Sequence, residues 1–519
     1  MTLPVGSVVE LGSRVRQYDR GRVLVGGAPP RLLRLSAPAV ALLAGRRIRI
    51  DGPTSLRLAT RLVALGMAHP VVTALPPADL GQLTVVVPAH GRPDALERLL
   101  AGVAGRVEVI VVDDASPDPD PVARVAHRHG ARLIRHPGNR GPAAARNTGL
   151  RQVRTPFVAF IDSDITVEPD TLPMLLRHFH DPELAVVAPR VLGLHGPGTP
   201  ERGNWIVRYE GARSSLDLQA HPALVHPRSR VSWVPSACLV ARVDALGPGF
   251  TESMRVGEDV DLVWRLAAEG HRVRYEPSVA VRHDHRSGLA DWLGRKAYYG
   301  TGAHTLSARH GPAVAPAVLT PWAAAVGVAA LAQRRWSLPA FAVVLTAVTR
   351  RNLRKVPAGS AGRHRIAVSL TGLGVAATAE QAAALLLRHW WPLSLAGCVV
   401  SSRARRAVAL AAVADGLLEY RLRAPDLDPV RFALARRLDD LAYGSGLWAG
   451  AVRGRSIRCL LPEIRRSGAG AGVRARSAAG AAGAAGAVGT SAAAGASAAA
   501  AARPGAGTRG DRPFPRPAP

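Results

Sequence analysis

Lysine is almost absent from this chain: of 519 residues only Lys296 and Lys355 carry it, although Lys and Arg together number 67. The formal net charge of +29 is therefore an arginine charge. It comes with an excess of alanine and glycine along the whole length, which reads as a bias of the coding sequence rather than as one built surface. Aromatic residues make up 4%, and no basic stretch is interleaved with them in the way that binders of RNA or single strands require. A basic face toward anionic lipid or phosphorylated substrates fits better, beside the plainer reading of a solvated basic surface. Cysteine is scarce too. Cys238, Cys398 and Cys459 are far apart and odd in number, which excludes a disulfide framework or a four-Cys zinc site and fits a reducing compartment. The opening MTLPVGSVVELGSRVR carries no long apolar run, so no secretory signal is expected.

What is present divides into five stretches. Residues 1–77 alternate like two or three short strands and then read as two helices, with Ser36 and Thr54 as N-caps and Gly66 as a C-terminal glycine. That is a small winged-helix-like α+β plan. Residues 82–305 run strand, helix, strand, helix, with the Val-rich strands LTVVVPAHGR, RVEVIVVDDAS and PFVAFIDSD, which predicts an open, mostly parallel α/β sheet. Ligands of such sheets sit beyond the carboxyl ends of the strands. Residues 311–402 are apolar. The uncharged run 311–333 is long enough to span a bilayer, and the basic loop 350–365 would return to the cytoplasm. The alternative is a soluble helical tail. Residues 403–466 are helical and charged, and residues 467–519 are Gly/Ala/Pro-rich and expected to be disordered.

The acids gather at predicted strand ends. VVDDAS places Asp113 and Asp114 there, and FIDSD places Asp162 and Asp164 on what reads as a neighbouring strand. Residues two apart on an extended chain face one way, and two carboxylates on one side repel unless a cation lies between them. A hard divalent ion held partly by substrate phosphates resolves this; a helix-capping role is the bland reading. Between the acid pairs, HPGNRGPAAARNTGL offers a glycine loop ahead of a helix, whose first N–H groups suit an anion, with Arg140 and Arg146 as nearby cations. In GEDVDLVWRLAAEG, Glu258, Asp259 and Asp261 open a helix, either as dipole complements or with one as a base for a hydroxyl. VAVRHDHRSG supplies His283 and His285 as candidate metal ligands or surface histidines.

The ordered set VVVPAHGR, VIVVDDAS, GNRGPAAARNTGL, FIDSD and GEDVDLVWRLAAEG resembles the family 2 glycosyltransferases of the GT-A fold. The resemblance implies a nucleotide-sugar site. It assigns a divalent metal (Mg or Mn) to Asp162 and Asp164, with His283 preferred over His285 as the third ligand. It assigns the UDP-sugar to Pro88, His90, Arg92, Asp113, Asp114, Asn139, Arg146 and Asp162, and matches the family's Arg–Asn–x–Gly helix to Arg146, Asn147 and Gly149. Asp259 is implied as the general base beside Glu258, in a single displacement with inversion. The only counterpart to the Gln-x-x-Arg-Trp motif of processive synthases is QRRW at Gln333, Arg334, Arg335 and Trp336, one residue short, so processive synthesis is not expected. With its front segment included, the chain resembles the glycosyltransferases of mycofactocin gene clusters. That implies transfer of a sugar, glucose, to a peptide-derived redox cofactor by an enzyme attached to the cell membrane. The front segment is also similar to small peptide-recognition domains. Competing expectations are a polyprenyl-phosphate or cell-wall glycan acceptor, and an inactive GT-A scaffold.

Overall fold

The computed structural model describes residues 3–28, 30–194, 204–227, 229–284 and 288–465. His285 and the 467–519 tail, both named above, lie outside the described residues.

The front piece contains β1 (Val8–Leu11), β2 (Arg16–Tyr18), β3 (Val23–Gly26), β4 (Arg31–Arg34), α1 (Ala37–Leu42), β5 (Arg47–Arg49), α2 (Pro53–Ala64) and β6 (Ala68–Pro70). They form two three-stranded sheets, β5-β1-β6 and β2-β3-β4, around a core that includes Val9, Leu24, Ile48, Leu62 and Met67. β5 and β6 span three residues each, too short to leave a period in the sequence. Ser36 does cap α1, whereas Thr54 does not cap α2. The N-cap is Gly52, two residues earlier, with Pro53 first in the helix, and Ser55 Oγ takes the Asp51 and Gly52 amides at 3.1 Å each.

The central sheet is built from β7 (Leu83–Ala89), β8 (Glu108–Asp113), β9 (Arg132–Arg135), β10 (Phe157–Ile161), β11 (Ile165–Val167), β12 (Leu184–Gly193), β13 (Ala223–Leu224), β14 (Cys238–Arg242) and β15 (Arg272–His283). Its order is β11-β15-β12-β14-β10-β7-β8-β9, with β13 added on β15. The β9-β8-β7-β10 half is parallel. β14 runs antiparallel to both β10 and β12, and β11 runs antiparallel to β15, so the sheet as a whole is mixed. β7 lies between β8 and β10. The two acid pairs are therefore not on adjacent strands but two strand spacings apart, about 10 Å.

Helices α3 (Pro93–Val103), α4 (Asp120–Arg128), α5 (Pro142–Leu150), α6 (Thr171–Leu176), α7 (Trp205–Arg213) and α8 (Glu258–Ala268) flank the sheet. Val85 and Val87 face one apolar core and Val86 the other. These strands are buried on both faces, which is why they read as continuous Val runs. The Arg–Asn–x–Gly helix, α5, lies so close to β7 that a Cβ at Gly149 would sit 2.3 Å from Val86 Cγ1. Gly149→Ala is expected to destabilise the protein by about 1–3 kcal/mol through overpacking, measurable by denaturant unfolding.

The remainder is helical: α9 (Leu289–His310), a short strand β16 (Val318–Leu319), α10 (Pro321–Ala332), α11 (Ser337–Lys355), α12 (Arg363–Ala384), α13 (Trp391–Val400), α14 (Ser402–Arg423) and α15 (Pro429–Arg453). The uncharged run 311–333 is not one helix. It breaks at Pro316 and Pro321 into a 3-10 turn, the β16 strand and the twelve-residue α10, the last about 18 Å long against the roughly 30 Å of a hydrocarbon core. Among the described residues one helix is long and apolar enough to cross a membrane, 363–389, comprising α12 and a π-turn. α9 packs along α15 at backbone contact, because a Cβ at Gly446 would fall 1.8 Å from the Ala297 carbonyl.

Candidate active site

The carboxyl end of β10 meets the N-terminus of α8 around one buried guanidinium. Arg146, on α5 and 2% exposed, donates from Nη2 to Asp162 Oδ1 at 2.6 Å and from Nη1 to Glu258 Oε1 at 3.0 Å. Its guanidinium carbon lies 5.3 Å from the centre of the Phe250 ring. Burial opposes its charge, and the Asp162 and Glu258 carboxylates outweigh that, holding the guanidinium firmly protonated. Asn147, the next residue, fixes the loop that presents Phe250: its side chain exchanges two 2.8 Å bonds with the Phe250 backbone and reaches Glu252 at 3.1 Å.

Asp162 and Asp164 are both at the site but face different partners. Asp162 turns to Arg146. Burial pushes its carboxyl up, and the charges of Asp164 and Glu258 add to this against the pull of Arg146. Asp164 Oδ2 accepts from Arg92 Nη1 at 2.8 Å and lies 3.5 Å from His283 Nε2. Burial raises that carboxyl, but the His283 hydrogen bond and charge and the Arg92 charge outweigh it and leave it below its ordinary range. The strand register explains the histidine: β15 pairs with β11 so that His283 lies opposite Ile165, one residue from Asp164. Among the described residues no three His, Cys, Asp or Glu side chains converge into a ready metal cage, so the Asp162–Asp164–His283 set is not preformed. The two carboxylates are balanced separately, by Arg146 on one side and by Arg92 with His283 on the other. The donor set still suits a hard divalent ion, two carboxylates two residues apart with an imidazole 3.5 Å from one of them.

The first acid pair is held by its own loops. Asp114 is 4% exposed and both its oxygens are in use. Oδ1 accepts from Arg140 N and from His136 Nδ1 at 2.8 Å, and Oδ2 accepts from Gly141 N at 2.7 Å. The anion at the start of α5 is therefore the protein's own carboxylate. Two of the loop amides, at Arg140 and Gly141, are occupied by it. Asp113, 1% exposed, accepts from Ser116 N at 2.9 Å and from Ser116 Oγ, leaving Oδ2 3.7 Å from Arg135.

The exposed rim is made by His90, Asn139 and Arg92, just past Pro88 at the end of β7. His90 Nδ1 is 3.0 Å from the Asp114 carbonyl and 3.5 Å from Asn139 Nδ2. Asn139 Oδ1 accepts from Arg255 Nη1 at 3.1 Å. Arg92, left-handed at φ 57°, stands at the N-cap position of α3, and its side chain reaches Asp164.

The α8 acids separate by role. Glu258 is bound to Arg146. Asp261 accepts from Arg309 Nε at 2.6 Å, from His310 at 2.7 Å and from Thr251 Oγ1 at 2.7 Å. It ties α8 to the end of α9 and takes no part in the cluster. Asp259 is held lightly, by Val260 N at 2.8 Å and Ser236 N at 3.4 Å. Burial first, and then the Glu258 charge, push its carboxyl up, to about 7.

Sequence reasoning missed α9. Its Arg295 donates to Tyr299 Oη at 3.1 Å, with the guanidinium 5.7 Å from that ring's centre. Arg295 is exposed, and although burial of its stem lowers its pKa, the charges of Tyr299, Asp164 and Asp162 raise it overall. The i, i+4 spacing of Arg295 and Tyr299 was readable, but nothing local says that the helix returns over the acids.

A family model described as glycosyl transferase family 2 matches residues 84–225, and one described as glycosyl transferase family group 2 matches 157–402. The pre-mycofactocin glycosyltransferase of Mycobacterium tuberculosis (strain H37Rv) is 41% identical over 483 residues, 89% of this chain and 99% of that protein. This chain belongs to glycosyltransferase family 2. The transferase is also 31% identical to the succinoglycan biosynthesis protein ExoO of Rhizobium meliloti over 238 residues, 41% of this chain and 64% of that one. Among solved structures it is similar to a mannosyltransferase of Pyrobaculum calidifontis in complex with GDP-Man and Mn²⁺, at 20% identity and a TM-score of 0.35, covering 67% of this chain and 89% of that chain. The catalytic sheet is that of a GT-A glycosyltransferase, and the acids and arginines described above sit at its ligand edge.

Proposed function

We propose that this transferase moves a sugar, glucose, from a UDP-sugar to the peptide-derived cofactor mycofactocin or its precursor, with inversion and with the help of a divalent ion. The observation that carries the reading of the site is a group of acids at the carboxyl edge of the parallel strands: Asp162, Glu258 and Asp259 around Arg146, with Asp164 beside them on Arg92 and His283. The acceptor rests on the relative from M. tuberculosis, whose likeness covers 89% of this chain and 99% of that protein.

Asp259 is the base: it takes the acceptor hydroxyl proton while that oxygen bonds to the sugar C1 and the C1–O bond to the diphosphate breaks. Its raised pKa suits it to hold that proton near neutral pH. Glu258 and Arg146 hold the base and Asp162 in fixed register. Asp162 and Asp164, with His283, would hold Mg²⁺ or Mn²⁺, which when bound neutralises charge on the leaving diphosphate. Arg92 and Arg295 add positive charge on the same side, and His90 and Asn139 border the nucleoside. Arg295→Ala is expected to lower kcat/KM about a hundredfold, with folding unchanged by circular dichroism. The catalytic sheet faces the cytoplasm, with the helical region attached to the membrane.

A polyprenyl-phosphate acceptor is the second reading, favoured by the apolar residues exposed along α14. Calorimetric titration of UDP with and without Mn²⁺ tests the donor site. Tight binding should require Mn²⁺ and be lost in Asp162→Ala. Equal Mn²⁺-dependent affinity in that variant refutes the metal assignment.

A further inference from the structure

Helix α14 is built inside out. Its carboxylates face the protein: Asp415 accepts from Arg436 Nε at 2.7 Å and also pairs with Arg437, and Glu419 lies 3.2 Å from Arg213. Its large apolar residues face outward, with Leu410, Val413, Leu417, Leu418 and Leu422 at 51–69% exposure. They recur every three or four residues and so form one stripe. α15 repeats the pattern. Arg436, Asp439 and Asp440 are buried while Val430 and Leu434 are at least 60% exposed. In water an amphipathic helix places these groups the other way round. α13, which packs on α14, adds Leu393, Leu395, Val399 and Val400, each at least 60% exposed. At the start of the α14 stripe stand the exposed Arg405 and Arg406, and exposed Arg334 and Arg335 follow α10. An apolar stripe edged by arginines matches the boundary between acyl chains and anionic headgroups.

The fastening of α12 sets the orientation. At its first turns Ile366 is buried with Val23, Val25 and Val356 against the front sheet, and Tyr18 Oη bonds Ser369 Oγ at 2.8 Å. Past its other end, Leu385 and Leu387 are buried and Arg388 donates to Asp440 at 2.8 Å. The front piece is itself bonded to the catalytic domain, through Arg177 to the Leu75 carbonyl and through Arg14 to Gln219. Both ends of the longest apolar helix are thus bonded to the same folded unit, to the front piece at one end and to α15 at the other. A crossing helix needs its ends on opposite sides of about 30 Å of hydrocarbon.

We infer that the transferase is monotopic: the outward face of α13–α15 lies in the surface of an anionic bilayer, and no helix of the described region crosses it. This deepens the membrane-attached reading given above, and its test is independent of transfer chemistry. Full-length protein is sedimented with vesicles of phosphatidylglycerol and phosphatidylcholine, and with phosphatidylcholine alone. Binding to the mixed vesicles is expected, about tenfold weaker on the neutral ones, and lost in Leu410→Glu/Leu417→Glu. Both substitutions are on exposed positions, so the variant should keep its thermal unfolding midpoint. Single cysteines at Gly359 and Ala424, near the ends of α12 and α14, should both react with an impermeant maleimide added outside sealed vesicles. Protection of one end overturns the in-plane orientation in favour of a crossing helix. Wild-type protein that stays in the supernatant, or that forms a dimer broken by the same double substitution, overturns the lipid assignment. UDP binding measured on the same samples separates these outcomes from failure of the donor site.

Discussion

Asp259→Asn is expected to lower the transfer rate about a thousandfold while UDP still binds with Mn²⁺ as in the wild type. The amide keeps the shape of the side chain and its acceptor oxygen for the Val260 N–H, but cannot take a proton. The wild-type pH profile provides a second readout. The Asp259 carboxyl is pushed up to about 7 by burial and by Glu258, so the reactive, deprotonated form is depleted on the acid side. kcat should fall roughly tenfold per pH unit below that value and level off above it. In the variant the residual rate should lose this acid limb. Loss of UDP binding in Asp259→Asn, or an unchanged acid limb, assigns the base elsewhere.

Arg146→Ala is expected to be the most destabilising single change in the catalytic domain. Arg146 is buried between Asp162 and Glu258. Its removal leaves the buried Glu258 and the partly exposed Asp162 facing each other without a cation, a loss of about 3 kcal/mol. Arg146→Lys restores the charge but not the fork that reaches both acids, and should fall between the two. Unfolding in urea measures the cost. Adding Mn²⁺ distinguishes the roles: the cation should recover part of the Arg146→Ala stability, because it restores a positive charge beside Asp162, and should do so less in Arg146→Ala/Asp162→Asn. A stability loss below about 1 kcal/mol would mean that the acids are solvated and the cluster is not the centre of the site.

The strand-end acids were legible in the sequence because they follow an apolar run, and a carboxylate after four or five buried residues is conspicuous. The Arg–Asn–x–Gly run was legible as a motif, yet the reasons for its members came only with the fold. Arg146 bridges two acids, Asn147 latches the Phe250 backbone, and Gly149 lets α5 approach Val86. The direction of Asp114 was not legible, since an acid that clamps its own loop and an acid that awaits a ligand leave the same letters. Chain breaks hid the length of 311–333, where two prolines divide a run that composition alone reads as continuous. The inside-out character of α14 was invisible for a related reason. An apolar stripe gives its period in sequence but not which side is turned to solvent, and here Arg213, Arg436 and Arg437, from other helices, decide it.

The central claim is that Asp162, Asp164 and Asp259 work on opposite sides of one transferred sugar. Mass analysis of a candidate peptide-derived acceptor, incubated with purified protein, Mn²⁺ and UDP-glucose, tests it most directly. The account predicts an acceptor that gains one or more hexose residues with the wild type, and an unmodified acceptor with Asp162→Ala or with Asp259→Asn. Hexose addition by either variant at the wild-type rate would contradict it.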